Sequence, residues 1–262
     1  MAFENILVER RDGIAIVTLN RPHVHNALSI GLVSELDAAI TEFEQDDTVK
    51  AIVLTGAGER AFSAGADIHE MADLSPEVLK EHQERRAVFS WHLADCTKPT
   101  IGALNGLAYG GAALLTSSLD IRFGCERTKF RFLAASYGRV NSTWTLPLCV
   151  GWPMAKELLY SGRVVEAEEA YRIGLLNRLV PSDQLLETVV ELGRTIAGNH
   201  AEMVQGIKRL LHEGAGLNFR ERADLERDAR STKLKSPPPS EGFSDFLVRK
   251  GRKGGVESAR ND

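Results

Sequence analysis

The stretch KPTIGALNGLAYGGAALLTSSLDIRFG, residues 98–124, reads as a strand, a glycine turn, an apolar helix and a second strand. PTIGALNG is a short apolar strand closed by Asn105-Gly106, a turn signal. Gly110-Gly111 stands where a helix begins, so the first backbone N–H groups there have no intrahelical partner. The next turn, Ala112 to Leu115, holds no acid, base or nucleophile. A strand–helix–strand step of this kind implies a crossover connection and a mostly parallel sheet.

Moving outward, the same alternation recurs. NILVER and GIAIVTL are two strands around Arg11-Asp12-Gly13, a hairpin turn. Ser29 is a good N-cap for a helix whose apolar positions are Leu32, Val33, Leu36, Ala39, Ile40 and Phe43. KAIVLTG, residues 50–56, is continuous rather than alternating, the pattern of a strand buried on both faces. The glycine loop AGERAFSAGADIHEM follows, then a polar amphipathic helix from about Pro76 to Asp95. From residue 152 onward every segment reads as helical, most of them closed by glycine, with SPPPSEG breaking the chain before FSDFLVRK. The expected organisation is an α/β core over residues 1–200 and a helical C-terminal region over 201–262.

With 262 residues, 43% of them hydrophobic, the chain can bury one sizeable core with room for a small appended element. A net charge of −4 provides no global field for nucleic acid. The apolar runs are far too short to span a membrane, and no signal segment is visible. Cys96, Cys125 and Cys149 are odd in number and lack CxxC spacing, which argues against a disulfide framework or a zinc site and fits a reducing, cytoplasmic setting. His23 and His25 form an HxH without an evident third ligand, so no metal site is expected. Arg249, Lys250, Arg252, Lys253 and Arg260 make a local basic cluster, either a solvated end or an anchor for phosphates.

Two backbone sites look suited to chemistry. Ser63-Ala64-Gly65-Ala66-Asp67 has small side chains that let a ligand approach the main chain. Gly110-Gly111-Ala112-Ala113 opens a helix, where free N–H groups and the helix dipole favour a developing negative charge. Two N–H donors converging on one carbonyl oxygen form an oxyanion hole. A Gly-Gly pair taken alone is more often just tight helix packing.

In order along the chain, IAIVTLNRPHVHNALS, AIVLTGAGERAFSAGADIHEM, KPTIGALNGLAYGGAALLTSSLDIRFG, LPLCVGWPMAKELLYSGRVVEAEEAYRIGLLNRLVP and EGFSDFLVRK resemble the enoyl-CoA hydratase/isomerase (crotonase) superfamily. The resemblance runs from about residue 3 to about residue 253. It implies a spiral of ββα units with a helical C-terminal trimerisation region, and therefore a homotrimer or a dimer of trimers. It also implies acyl-CoA thioester substrates, with coenzyme A entering as part of the substrate and no separate cofactor. The shared mechanism stabilises a thioester enolate by two backbone N–H groups, which fall by position on Ala66 and Gly111. The implied substrate and CoA contacts are His23, His25, Ala64, Asp67, Ile68, His69, Leu114, Tyr137, Trp144, Phe246 and Lys250.

The sequence departs from the hydratases at the acid and the base. One hydratase glutamate falls on Leu114 and the other on Ala134, and neither residue can activate water or shuttle a proton. Members of the superfamily with other chemistries use the position of Asn141, which hydrogen-bonds but does not exchange protons near neutral pH. Tyr137, Arg139, Ser142, Thr143 and Trp144 flank it. That cluster suits a carboxylate or a ring, or else forms a surface loop. Asp120 reads as structural. On the helix walling the acyl pocket in the resemblance, Arg85 or Arg86 can hold a carboxylate and His82 or Glu84 can supply a base, although most charged residues on such a helix are merely solvated. The expectation is an acyl-CoA enzyme that does not use two-glutamate hydration; the alternative is a catalytically silent acyl-CoA-binding protein.

Overall fold

The computed structural model describes residues 3–250, without the side chains of Asp245, Arg249 and Lys250. Arg252, Lys253 and Arg260, with the side chains of Arg249 and Lys250, lie outside the described residues. The chain divides into two compact units between Gln205 and Gly206.

In the first unit, β1 (Ile6–Arg11) and β2 (Ile14–Leu19) form the expected hairpin. They are followed by α1 (Ile30–Gln45), β3 (Ala51–Gly56), β4 (Ala61–Ser63), α2 (Ile68–Ala72) and α3 (Pro76–Asp95). Next come β5 (Thr100–Leu104), β6 (Leu107–Tyr109), α4 (Gly111–Ser117), β7 (Ile121–Gly124) and β8 (Lys129–Arg131). The unit continues through α5 (Leu146–Val150), α6 (Trp152–Ser161), β9 (Val164–Glu166), α7 (Ala167–Arg172), β10 (Arg178–Leu179) and α8 (Leu185–Ala197), and enters α9 (Ala201–Glu213). β9 and β10 correct the all-helical reading from residue 152 onward. At three and two residues, they are too short to leave a period in the sequence.

Two sheets result. The larger has the order β1-β2-β3-β5-β7-β10 and the smaller β4-β6-β8-β9. β3, β5 and β7 enter the large sheet in parallel, and each is followed at once by a strand of the small sheet, β4, β6 or β8. The chain therefore winds as successive ββα turns. Alternation along the large sheet splits its side chains between two cores. Ala15, Val17, Leu19, Ile52 and Leu54 face α1, whose Leu32, Leu36, Ala39, Ile40 and Phe43 are buried as its spacing predicts. Ile14, Ile16, Val53, Ile101 and Phe123 pack instead on Leu185, Val189 and Val190 of α8. Burying each such side chain contributes roughly 1.5–3 kcal/mol.

A charged clamp joins α1 to α3. His92 Nδ1 lies 2.5 Å from Asp37 Oδ1, and its Nε2 lies 2.8 Å from Glu44 Oε2. Burial works to lower the imidazole pKa, but the hydrogen bonds to Asp37 and Glu44 outweigh it and hold the value above 6.5. Burial works to raise Glu44, yet the Thr97 N–H and His92 bring its carboxyl below 4.5. The imidazolium contribution is complete below pH 6.5 and is lost as pH rises through the raised native value. The carboxylate contribution is present above pH 4.5 and is lost as pH falls through the lowered native value. His92→Gln is therefore expected to destabilise more near about pH 6 than near about pH 9 in urea unfolding. Equal losses at both would show that the clamp is uncharged.

The second unit holds the end of α9, then α10 (Phe219–Thr232), α11 (Pro239–Gly242) and α12 (Ser244–Lys250). Asn218 and Glu221 close a capping box at the start of α10. Gly206 leaves room for the Leu234 side chain, which would otherwise meet a Cβ at 2.5 Å. Ile207, Leu211 and Phe219 are exposed. Among the described residues, no helix is long and apolar enough to cross a membrane.

Candidate active site

β4 and β6 are parallel neighbours, with Ala61 opposite Leu107 and Ser63 opposite Ala108. The segments leaving them, residues 64–66 and 110–111, therefore emerge side by side. Gly65, at φ 93°, has its main chain pressed on its neighbour: a Cβ there would strike the Tyr109 carbonyl and come within 3.0 Å of Gly111 N. A Cβ built at Gly111 would stand 3.5 Å from Ala66 N. Among the described residues, no hydrogen bond uses the N–H of Ala66 or of Gly111. Two unused donors thus lie next to each other at the mouth of α4.

The loop carrying Ala66 is held by its own backbone. Leu28 N donates to Gly65 O at 2.7 Å, Asp67 N donates to Leu28 O at 3.3 Å, and Ala64 N donates to His25 O at 2.9 Å. The Asp67 carboxylate serves this scaffold, accepting from Glu70 N at 3.2 Å and pairing with Arg21 Nη1 at 2.9 Å. Burial works to raise its pKa, but Arg21 and the Glu70 N–H hold it below 3.8.

Asn26 is the organiser that the sequence did not reveal. Fully buried and left-handed at φ 54°, it accepts from Arg21 N and donates to the carbonyls of Ala57 and Ala61, each at 3.0 Å. One side chain thereby sets the histidine loop against the glycine loop. Its only sequence signal is an asparagine in a turn after Pro22. His23 and His25 are exposed. His25 lines a cleft of about 260 Å³ with Pro22, Asn26, Gly58, Glu59 and Arg60. Ile68 and His69 are exposed on α2.

β8 lies on the other side of β6, and Gly110 N donates to Arg131 O at 2.8 Å. The chain after β8 therefore begins beside the Gly110 turn. Ala134, in that chain, is buried, and Leu114 is one turn into α4, on the side of Gly111. Beyond Ala134 the loop is largely exposed. Tyr137 is 71% exposed, Trp144 lies tilted against Trp91 with ring centroids 5.8 Å apart, and Asn141 Oδ1 accepts from the Ser142 hydroxyl at 3.2 Å. No hydrogen bond among the described residues ties Asn141 to the Ala66–Gly111 pair. Asp120 is structural, accepting from Thr100 N and Oγ1. Phe246 is exposed within the second unit, and the Lys250 side chain lies outside the described residues.

The inward face of α3 adds two groups. Arg86 reaches the donor turn itself, since a Cβ at Gly111 would collide with Arg86 Nη2. The one hydrogen-bond partner of its guanidinium among the described residues is the Met71 sulfur, 3.9 Å from Nη1. One turn earlier, His82 is buried and its Nε2 has no partner among the described residues. Burial first, then the charge of Arg86, push its pKa below 6.5 against the opposing pull of Glu70, so the imidazole is neutral at pH 7. Arg85 and Glu84 are exposed and pair along the helix with Glu81 and Lys80. Among the described residues, no group of three His, Cys, Asp or Glu side chains converges to hold a metal.

Comparisons with known proteins show the family. A family model described as enoyl-CoA hydratase/isomerase matches residues 9–251. The crotonyl-CoA hydratase of Syntrophomonas wolfei is 32% identical over 253 residues, covering 95% of this chain and 97% of that protein. The short-chain-enoyl-CoA hydratase of Clostridium acetobutylicum is 32% identical over 254 residues, again 95% of this chain and 97% of the relative. The crystal structure of enoyl-CoA hydratase from Bacillus anthracis matches with a TM-score of 0.89 at 29% identity, covering 94% of this chain and 97% of that one. The mixed α/β architecture of stacked ββα turns is the one these structures share.

Proposed function

The chain belongs to the enoyl-CoA hydratase/isomerase family of acyl-CoA-processing enzymes, and on that premise we propose that it forms a thioester enolate held by the N–H groups of Ala66 and Gly111, without two-glutamate hydration. The observation that carries this reading is the adjacency of two unused backbone donors. When a bond at the α-carbon of a thioester breaks and leaves its electron pair behind, charge moves onto the carbonyl oxygen. Donors fixed in advance bind that oxygen more strongly as an enolate than as a carbonyl, which lowers the barrier rather than the ground state. The start of α4 points its dipole at the same place.

Coenzyme A enters as part of the substrate. On this reading its nucleotide end takes the exposed His23–His25 loop and the cleft carrying Arg60, and His69, exposed on α2, is a further contact. On the same reading Ala64 and Ile68 flank the thioester, Leu114 and the loop of Tyr137, Asn141 and Trp144 bound the acyl end, and Phe246 contacts CoA on a neighbouring subunit. The test is a panel of acyl-CoAs assayed by mass spectrometry, with binding measured in parallel. Turnover of at least one is expected. Binding without any turnover would make the protein a silent acyl-CoA binder, and no binding would remove both readings.

We propose a homotrimer or a dimer of trimers as the assembly. Ile207, Leu211 and Phe219 are 58%, 70% and 93% exposed, large apolar surfaces that subunit contacts would cover. Sedimentation velocity at micromolar concentration is expected to show a trimer or hexamer; a monomer would contradict it.

A further inference from the structure

Arg21, Arg122 and Arg163, buried or half-buried elsewhere in the first unit, have their charge or their donors met. Arg21 pairs with Asp67, Arg122 donates to the carbonyls of Leu119, Thr116 and Leu175, and Arg163 grips Glu157 and Glu169. Arg86 differs. Its guanidinium lies against the Cα of Gly111, and the described residues offer it one thioether sulfur and no carboxylate. The group that acts on it electrostatically is a second cation, Arg139, from the loop after β8. Burial first, and then Arg139, hold the Arg86 pKa below its usual value. The acids nearby are otherwise engaged: Glu70 accepts from Ile30 N at 2.8 Å, and Asp67 is taken by Arg21 and the start of α2. His82 is neutral and supplies no countercharge.

A guanidinium held partly out of water against the donor turn, with a second cation acting on it and no carboxylate partner, is an unfavourable arrangement unless an anion joins it. The space is available because residue 111 is glycine; any side chain there would displace Arg86. The phosphates of CoA do not meet this need, because the whole pantetheine arm separates them from the thioester carbonyl. Resting on the oxyanion-hole reading above, we propose that the acyl group carries its own carboxylate, seated between Arg86 and Arg139. The substrate class is the short dicarboxylic acid monothioester of coenzyme A. Arg86 touches the donor turn, so the carboxylate must lie only a short chain away from the thioester carbon, as in malonyl- or succinyl-CoA. A guanidinium–carboxylate contact in such a site is a charge-assisted, directional one.

The experiment is isothermal titration of the full chain with malonyl-CoA and succinyl-CoA against propionyl-CoA and butyryl-CoA. The carboxylated thioesters are expected to bind about 10- to 100-fold more tightly, the usual worth of a hydrogen-bonded charge pair. Arg86→Gln is expected to abolish that preference while leaving the neutral thioesters within about threefold. Arg139→Gln, at an exposed position, is expected to reduce the preference in part and covers the case in which the Arg86 variant does not fold. Equal affinities in the unaltered protein would overturn the carboxylate seat alone, since CoA binding would still support the oxyanion-hole reading. Parallel loss of both classes in Arg86→Gln would assign Arg86 a structural role and overturn it as well. Slower turnover of both classes with the binding preference intact would make Arg86 a third donor to the enolate and likewise overturn the seat. No binding of either class would remove the oxyanion-hole reading itself.

Discussion

Crotonyl-CoA hydration by this protein is expected to run at least about 10²–10⁴-fold below a two-glutamate hydratase, the usual worth of one general acid or base. Hydration needs one group to take a proton from water and another to deliver a proton to the α-carbon. At the two positions where the resemblance puts those carboxylates stand Leu114 and Ala134. Leu114 lies on α4 a turn beyond Gly111, and Ala134 in the segment leaving β8, whose Arg131 carbonyl accepts from Gly110 N. Nearby carboxylates do not replace them. Glu70 and Asp67 are engaged in hydrogen bonds to the backbone, and Glu84 is exposed on α3. Loss of enoyl absorbance at enzyme concentrations that saturate easily gives the rate. Turnover of about 10 s⁻¹ or more, an ordinary enzymatic value, would show that an acid and a base are present elsewhere.

Removing one donor of the oxyanion pair is expected to cost about 10²–10³ in turnover on whichever acyl-CoA the protein consumes. Gly111→Pro removes the N–H, and residue 111 opens α4, where proline is tolerated. The structure adds a complication: any Cβ at 111 runs into Arg86 Nη2. Gly111→Ala is therefore the required companion, because it moves the guanidinium and keeps the N–H. The loss specific to proline, measured relative to alanine with oligomer size and circular dichroism unchanged, is the contribution of the donor. Equal turnover in the two variants would leave the helix start as packing alone. Much of the CoA affinity should persist in both, because the proposed nucleotide contacts, at the 21–25 loop and the Arg60 cleft, are left intact.

The large sheet was legible in the sequence, β10 apart, because its other five strands are four to six residues long and apolar enough to show their period. The first helix was legible down to its cap, Ser29, which accepts from Leu32 N at 3.1 Å. The small sheet was not legible. Its strands have three residues each, and AFS within AGERAFSAGADIHEM reads as loop until its neighbour LAY is known. The two donor turns could be picked out from their glycines, but their adjacency is a property of β4 pairing with β6. The role of Asn26 was hidden for a related reason, since its three partners lie up to 35 residues away. Arg86 was visible only as one of two candidate arginines on a polar helix. Arg85 turned out to pair with Glu81 at 2.7 Å, and the helical phase alone brings the next residue to Gly111.

The polarisation of a bound thioester carbonyl is the most direct measure of the donor pair, and it does not depend on knowing the reaction. An acyl-CoA carrying ¹³C at the thioester carbonyl, observed by isotope-edited infrared difference spectroscopy, reports the strength of hydrogen bonding at that oxygen. In the unaltered protein the C=O stretch is expected to fall below its value in water. The shift should largely survive in Gly111→Ala and be markedly reduced in Gly111→Pro. A bound carbonyl at its aqueous frequency, or a shift indifferent to the loss of the Gly111 N–H, would contradict an oxyanion hole at Ala66 and Gly111.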